Sequence, residues 1–210
     1  MGIKERKERE KAKRRKAILK AAKKNILKHG IEGMSMDQVA RSAELNKATL
    51  YLYFNSKDDL IDAIVYEGLA ELEKESREAA RPSRSGLGRV LFLMKAMYDF
   101  YRRNPVYFHA LNHQERRGPD ERSSTPFSAK GDECAARILG QFQESVRKGV
   151  EDGSIRKDAD TKQAFILIYA LTFGVMHTIH AKEDVYQDVL DLESGSIERS
   201  SLELMERYLG

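Results

Sequence analysis

Five side chains between residues 47 and 57 are of the types that bind nucleic acid. Lys47 can neutralise a phosphate or read a guanine, and Thr49 can contact a phosphate or, through its own methyl group, a thymine methyl. Tyr51 can donate its hydroxyl to a phosphate oxygen. We expect Lys47 and Thr49 to lie nearest the bases, and Tyr51, Tyr53 and Lys57 to position the DNA backbone.

The segment from Ser35 to Lys57 must place these side chains on one surface. Ser35 with Gln38 predicts a capping box at the start of one short helix, and Asn46 predicts the N-cap of a second helix, Lys47–Tyr53. Ser56 caps a third helix, whose N-terminus favours an anion beside Lys57. This order predicts a helix-turn-helix whose second helix enters the major groove of DNA. The full set of predicted DNA-binding residues is Ser35, Gln38, Asn46, Lys47, Thr49, Tyr51, Tyr53 and Lys57.

A short helix-turn-helix pattern is also compatible with a plain helical hairpin, but here the pattern extends from Arg14 to Leu60. That stretch resembles the N-terminal domain of the TetR family of transcriptional regulators. The matching residues are Ile18-Leu19 with Ala21-Ala22, Gly30, Ser35 with Val39-Ala40, Lys47-Ala48-Thr49-Leu50-Tyr51, Tyr53-Phe54 and Ser56-Lys57-Asp58-Asp59-Leu60.

The resemblance covers about the first third of the chain and implies the rest of the architecture. It implies about nine helices, with an N-terminal domain that binds operator DNA and a C-terminal domain that dimerises and senses a small molecule. Repression relieved by a ligand is the family's usual mode of action. Two departures bear on base preference: Glu44-Leu45-Asn46 stands where the family usually has Gly, Val and Ser, and Ala48 stands where Gly is common.

Composition predicts an all-α class, because helix formers dominate and strand-like alternation is absent. The predicted architecture is an N-terminal three-helix DNA-binding domain, 1–60, with the helix-turn-helix at about 35–55. A linking helix at about 57–80 leads into a C-terminal dimerisation and ligand-binding domain, 61–210, and Arg81–Gly86 is the best break in the pattern. The remaining helices are expected from about Glu10 to Gly30 and at Leu87–Arg103, Val106–Gln114, Ala129–Asp152, Thr161 to Met176 or Ala181, and Ser196–Leu209. A mobile loop is expected at 115–127.

Charge is divided unevenly along the chain. Residues 1–60 hold 16 Lys+Arg and 8 Asp+Glu, and the remainder holds 21 and 25, so a net charge of +8 lies at the DNA-binding end and −4 on the rest. The basic residues Lys11, Lys13, Arg14 and Arg15 either lie along phosphates or reach into a minor groove, or they serve solubility alone.

Three features of the sequence predict a cytoplasmic protein. The single cysteine, Cys134, excludes an internal disulfide, and the N-terminus is too charged for a signal peptide. The longest apolar run, Ala164–Met176, has 13 residues and is too short to span a bilayer. We therefore expect no membrane partner.

The apolar surface of the Ala164–Met176 helix and the C-terminal helix exceeds what one small domain can cover. We expect two such helices from each subunit to form a four-helix bundle across a two-fold axis. The alternative is that both helices complete the core of a monomer.

Aromatic side chains in the C-terminal part predict a small-molecule pocket. Core packing must explain most of them, but apolar walls with a few polar groups are typical of ligand sites. The candidates for the lining are Tyr98, Tyr101, Phe108, Phe142, Tyr169, Phe173 and His177, and they favour an apolar or aromatic effector.

The sequence gives weaker support for metal binding and for catalysis. His109 with His113, and His177 with His180 and Glu183, are spaced to share helical faces, but no HExxH or paired CxxC motif is present, so neither a metal nor a cofactor is predicted. No catalytic residue is predicted either. A helical enzyme with a basic tail, and a regulator that answers to a protein partner, remain as alternatives.

Overall fold

The computed structural model describes residues 2–79, 85–117, 125–193 and 195–210. Within these ranges the chain forms nine α-helices and no strand, which confirms the all-α class. The helices are α1 (Ile3–Gly33), α2 (Met36–Ser42), α3 (Lys47–Tyr51), α4 (Lys57–Ala79), α5 (Gly86–Arg103), α6 (Pro105–Glu115), α7 (Pro126–Asp152), α8 (Thr161–Leu190) and α9 (Ser196–Leu209).

Three boundaries of the longer helices differ from the sequence predictions by three residues or more. α1 begins at Ile3 because its Lys, Arg and Glu residues are good helix formers, and it bends at Gly30, where φ is 68°. α7 begins at Pro126 rather than Ala129, since Thr125 Oγ1 accepts a hydrogen bond from the Ser128 amide at 3.1 Å. α8 continues to Leu190, well past Met176. The predicted loop at 115–127 falls largely on 118–124, outside the described residues.

The chain divides into two compact units. The N-terminal unit comprises Met1–Gly68 and Val106–Gly131, and the C-terminal unit comprises Leu69–Pro105 and Asp132–Gly210. The N-terminal unit therefore includes α6 and the first turns of α7 in addition to the helix-turn-helix. The sequence-predicted domain boundary at residue 60 stays a prediction.

The core of the N-terminal unit is formed where α1 packs on α2 and α2 on α3. Fully buried Ile18, Ala22, Leu50 and Phe54 fill it. Gly68 on α4 lies so close to the Tyr107 ring that an added Cβ would be 2.7 Å from Tyr107 Cγ, so a side chain there would force the ring to move.

The C-terminal unit is held by α5, which packs on α8 and α9, while α8 also packs on α9. The buried hydroxyl groups of Tyr98 and Ser201 lie 2.8 Å apart and share a hydrogen bond between α5 and α9. At the start of α5, a Cβ on Gly86 would overlap the backbone of Gly149, so the absence of a side chain permits this contact. Asp152 Oδ2 then accepts a hydrogen bond from the Gly86 amide at 2.8 Å.

Among the described residues, one stretch of α8, Thr161–His180, is long and apolar enough to cross a membrane by length and composition. The sequence prediction considered the apolar run Ala164–Met176 alone, whereas this stretch also includes the residues on either side of it. A core helix of a soluble protein passes the same test, so this stretch is weak evidence for a membrane.

Candidate nucleic-acid interface

Side-chain caps fix the starts of the two helices in the helix-turn-helix. The Gln38 amide donates to Ser35 Oγ at 3.2 Å, and the Ser35 amide donates to Gln38 Oε1 at 2.7 Å, which is the predicted capping box. The Thr49 amide donates to Asn46 Oδ1 at 2.7 Å, as expected for an N-cap. Both predicted caps are confirmed, and together they set the direction of α2 and α3.

The turn between α2 and α3 contains an uncommon backbone conformation. Glu44 has a φ of 57°, in the left-handed region where glycine is unstrained and other residues are not. The Leu45 backbone amide donates to Ala40 O at 2.9 Å, and the Leu45 side chain is half-buried. Glu44 occupies the position where the family usually has glycine, so the turn keeps its geometry despite that departure.

α3 divides its side chains between core and solvent. Leu50 is fully buried, whereas Lys47 and Tyr51 are exposed and Thr49 is half-buried. Because α3 ends at Tyr51, the half-buried Tyr53 lies just beyond the helix rather than inside it. The exposed part of α3 is therefore the polar surface predicted to contact DNA.

Two features of this surface were not predicted. Leu52 is 80% exposed, although no core or DNA role was assigned to it. Lys47 Nζ lies 2.8 Å from Asp37 Oδ1 on α2, and this hydrogen bond raises the pKa of Lys47. The ion pair keeps Lys47 charged and gives it a competitor for any phosphate.

The start of α4 holds Lys57 beside the end of α1. Lys57 Nζ donates to the Glu32 carbonyl oxygen at 3.3 Å. The Asp59 amide donates to Ser56 Oγ at 3.0 Å, which confirms the predicted cap, and Asp59 Oδ2 accepts from the Asn55 amide at 2.9 Å. Lys57 therefore belongs to α4, while its side chain is bonded to the end of α1.

Arg15 is the one member of the predicted basic stretch that is half-buried; Lys11, Lys13 and Arg14 are exposed. Its guanidinium carbon lies 3.9 Å from the centre of the Phe127 ring and 5.4 Å from that of Phe54. Burial lowers the pKa of Arg15, while the charge of Asp59 opposes that shift. Arg15 therefore ties α1 to α7 within the N-terminal unit, a cation–π role that sequence reasoning missed.

The candidate ligand-binding residues belong to both compact units, and their role stays a prediction. Tyr98, Tyr101 and Phe142 are buried in the C-terminal unit, and Phe108 is buried in the N-terminal unit. Tyr169 and His177 are exposed on α8, where the rings of Tyr169 and the half-buried Phe173 stack 5.8 Å apart.

The histidines were also weighed as metal ligands. His109 and His113 line an open cavity of about 600 Å³ in the N-terminal unit, and His113 Nδ1 lies 3.3 Å from Glu32 Oε1. His180 Nδ1 lies 2.9 Å from Met176 O, and the side chain of Glu183 is outside the described residues. In the described part of the chain, no three His, Cys, Asp or Glu side chains are arranged to hold a metal.

Comparison with known proteins agrees with this geometry. Residues 18–64 match the family described as bacterial regulatory proteins, tetR family. The uncharacterized HTH-type transcriptional regulator YhgD of Bacillus subtilis is 27% identical over 74% of this chain and 78% of its own. The HTH-type transcriptional repressor NicS of Pseudomonas putida is 27% identical over 74% of this chain and 72% of its own.

A solved structure extends the likeness to nearly the whole fold. The transcriptional regulator FadR from Bacillus subtilis, crystallised in complex with stearoyl-CoA, superposes with a TM-score of 0.73 and covers 92% of this chain and 98% of its own. At 16% identity this likeness shows the fold alone. The match of residues 18–64 and the curated relatives show that the chain is a DNA-binding transcriptional regulator, not an enzyme, and that its helix-turn-helix domain is that of the TetR family.

Proposed function

We propose that this protein is a homodimeric repressor that binds a palindromic operator and is released by a small apolar or aromatic effector. The observation that carries the proposal is the capped helix-turn-helix, which exposes Lys47 and Tyr51 on α3. NicS, a relative of similar length, is a repressor, which supports the proposed sign of regulation. A repressor acts where the DNA is, so we infer a cytoplasmic location.

Contact with DNA is assigned to α3 and the start of α4. Thr49 and Lys47 are proposed to face the bases, and Tyr51, Tyr53 and Lys57 to face phosphates, while Ser35, Gln38 and Asn46 hold the helices that present them. The net charge of +8 on residues 1–60 attracts the phosphate backbone.

The DNA assignment is tested by the salt dependence of operator binding. An operator is first selected from a genomic DNA library. Each lost cationic contact with a phosphate flattens the slope of log affinity against log salt by about one unit, so Lys57→Ala should do so. Tyr51→Phe removes a neutral hydroxyl group, so it should weaken operator binding and leave the slope unchanged. Lys95→Ala, which removes an exposed lysine paired with Asp99 on α5, is the control and should change neither the affinity nor the slope. An unchanged slope in Lys57→Ala together with an unchanged affinity in Tyr51→Phe would show that the assignment is wrong.

Dimerisation is assigned to α8 and α9. Large apolar side chains are exposed along α8 and at one position of α9, namely Ile166, Leu167, Tyr169, Val185, Val189 and Leu204. A contiguous patch of exposed apolar side chains on a soluble protein marks an interaction site, and we propose that these side chains form one. Pairing α8 and α9 with the same helices of a second copy would cover it and would set the two recognition helices about 34–36 Å apart, one turn of DNA.

Release by an effector is assigned to the aromatic residues of the predicted pocket and to α4. FadR, which has the same fold, binds stearoyl-CoA, a ligand with a long apolar chain. α4 contributes its first turns to the N-terminal unit and its last turns to the C-terminal unit. A ligand that shifts the tilt of α4 would change the separation of the recognition helices and weaken the operator complex.

The coupling is tested by screening apolar and aromatic compounds for thermal stabilisation of the protein, followed by titration with operator DNA. Compounds that act as effectors should lower operator affinity by about 5–150-fold, the usual range of allosteric coupling. If every stabilising compound leaves operator affinity unchanged, α4 does not transmit the signal.

A further inference from the structure

A second cavity, of about 540 Å³, lies within the C-terminal unit and is lined by none of the predicted ligand-binding residues. Three arginines from three helices converge on it: Arg77 of α4, Arg89 of α5 and Arg137 of α7. We call it the arginine cavity. Gly140 and Glu144 of α7 also line it.

Arg89 carries the strongest signal for a ligand. Its Nε atom is buried and has no hydrogen-bond partner among the described residues. Buried polar groups in native proteins are nearly always paired, and an unpaired guanidinium N–H is more costly than a neutral group because it is charged. The Nε atom has almost no accessible surface, so an acceptor supplied by a ligand would satisfy it once the Arg89 side chain turns toward the cavity.

The nearby carboxylates are already bound by other arginines. Glu73 accepts hydrogen bonds from Arg77 and, at 2.8 Å, from Arg137 Nε. Glu144 accepts from Arg147 Nε at 2.9 Å and Arg147 Nη2 at 2.6 Å. The Arg147 hydrogen bonds hold the pKa of Glu144 below its ordinary value, so Glu144 stays negatively charged at neutral pH.

The neutral acceptors at the cavity are also engaged. Gln141 Oε1 accepts from Ser76 Oγ at 3.1 Å, and Ser145 Oγ donates to the Gln141 carbonyl oxygen at 2.6 Å. The polar atoms that remain for a ligand are therefore mainly donors on cationic side chains. Such a set recognises an acceptor with negative charge.

We propose that the arginine cavity binds a carboxylate or phosphate group of a small molecule, with Arg89 as the principal hydrogen-bond donor. Arg77 and Arg137 add positive charge: both bond the carboxylate of Glu73, and among the described residues the only further carboxylate beside either of them is the exposed Glu133, 3.9 Å from Arg137 Nη1. The cavity is larger than the anionic group alone, and a Cβ added to Gly140 would meet no atom within 4 Å, so there is room for the rest of the molecule. Its regulatory role rests on the proposed function, since the molecule bound here would be the effector or its charged end.

Calorimetric titration of the full-length protein tests the site directly. The probes are inorganic phosphate and three carboxylates, namely butanoate, octanoate and dodecanoate. Each carboxylate is compared with its neutral amide. Binding of phosphate would identify a free anion as a sufficient ligand. Binding of a carboxylate but not of phosphate would identify the charged end of a larger molecule. In either case the neutral amides should bind at least about tenfold more weakly, as expected when a charge-assisted hydrogen bond is lost.

Three variants at the cavity should change anion affinity in different directions. Arg89→Gln should weaken binding at least about tenfold. Glu144→Gln removes a negative charge from the lining and should tighten binding about two- to fivefold at low salt, a gain that misfolding cannot produce. Gly140→Leu should fill the cavity and abolish binding, although the replacement favours the helix.

The matched control is Arg103→Gln, which makes the same replacement on α5 at an exposed arginine paired with Glu75, outside the cavity. It should leave anion affinity unchanged. Absence of binding by every anion, or equal affinities in the wild type, Arg89→Gln and Glu144→Gln, would overturn the site. Operator titration of the same variants without anion distinguishes the two proposals, because failure of operator binding bears on the proposed function and not on this cavity.

Discussion

The helix-turn-helix and α8 show two different ways in which a sequence specifies a surface. In residues 35–57 each helix start is set by a side chain that bonds an amide three residues away, as with Ser35 and Asn46. α8 has a local cap too, because Asp160 accepts from the amide of Gln163, but the cap does not decide which face of the helix is covered. Local hydrogen bonds therefore define the surface proposed to face DNA within one chain, whereas we propose that the apolar side chains of α8 are covered by a second chain.

The largest effect is expected from a charge placed on the apolar face of α8. Ile166 is 62% exposed in the single chain, so Ile166→Glu should fold normally. A two-fold interface would bury the new carboxylate twice, and we expect the dimer dissociation constant to rise at least about 100-fold. Sedimentation at micromolar concentration measures this.

The control for Ile166→Glu is Gln163→Glu, which adds the same charge at an exposed polar position of α8. It should leave the dimer intact. A wild-type protein that sediments as a monomer, with or without operator DNA, would rule out the proposed four-helix bundle.

The sequence predicted those parts of the fold that depend on neighbours along the chain. The cap at Ser56 and proline in the first position of α6 were both read from local patterns. The start of α7 was missed by three residues, because Thr125 was assigned to a loop although it caps the helix. The extent of α8 was underestimated because its polar C-terminal part breaks the apolar run.

The remaining features depend on residues far apart in sequence, and no local pattern indicates them. Arg15 stacks on Phe127, which lies in another helix more than a hundred residues away. The three arginines of the arginine cavity come from α4, α5 and α7, and the sequence showed them only as scattered surface charges. Whether the buried aromatic residues form a ligand pocket stays a prediction.

Removing a cap should weaken the helix-turn-helix without any change in its core. Asn46→Ala leaves the Thr49 amide without its acceptor and should lower the free energy of unfolding by about 1 kcal/mol. Urea denaturation measures the loss. Asn55→Ala is the matched control, because Asn55 is exposed and contributes only its backbone amide to the bond with Asp59. Equal stabilities of the two variants would show that the cap contributes nothing.

A smaller change, in operator affinity, is expected when the ion pair between Asp37 and Lys47 is removed. Asp37→Asn would release Lys47 from its competitor and remove one negative charge from the DNA-facing side, so operator affinity should rise about two- to fivefold at low salt and less at high salt. Asp158→Asn, which breaks an exposed pair with Arg156 in the C-terminal unit, should not change it. An affinity that is unchanged by Asp37→Asn at every salt concentration would mean that Lys47 lies away from the DNA.

The smallest effect is expected at Glu44, where the backbone of the turn departs from what its residue prefers. A φ of 57° is unfavourable for a side chain with a Cβ, by about 1–2 kcal/mol, and glycine avoids that strain. Glycine also gains conformational freedom in the unfolded chain, which offsets about 0.5–1 kcal/mol, so Glu44→Gly should raise the free energy of unfolding by about 0.5 kcal/mol. Glu44→Ala removes the same charge but keeps the Cβ, so the difference between the two variants is the backbone strain less the entropy that glycine gains in the unfolded chain. If Glu44→Gly proves no more stable than Glu44→Ala in urea denaturation, the strain at this turn does not exceed that entropy, and the glycine usual in the family has another role.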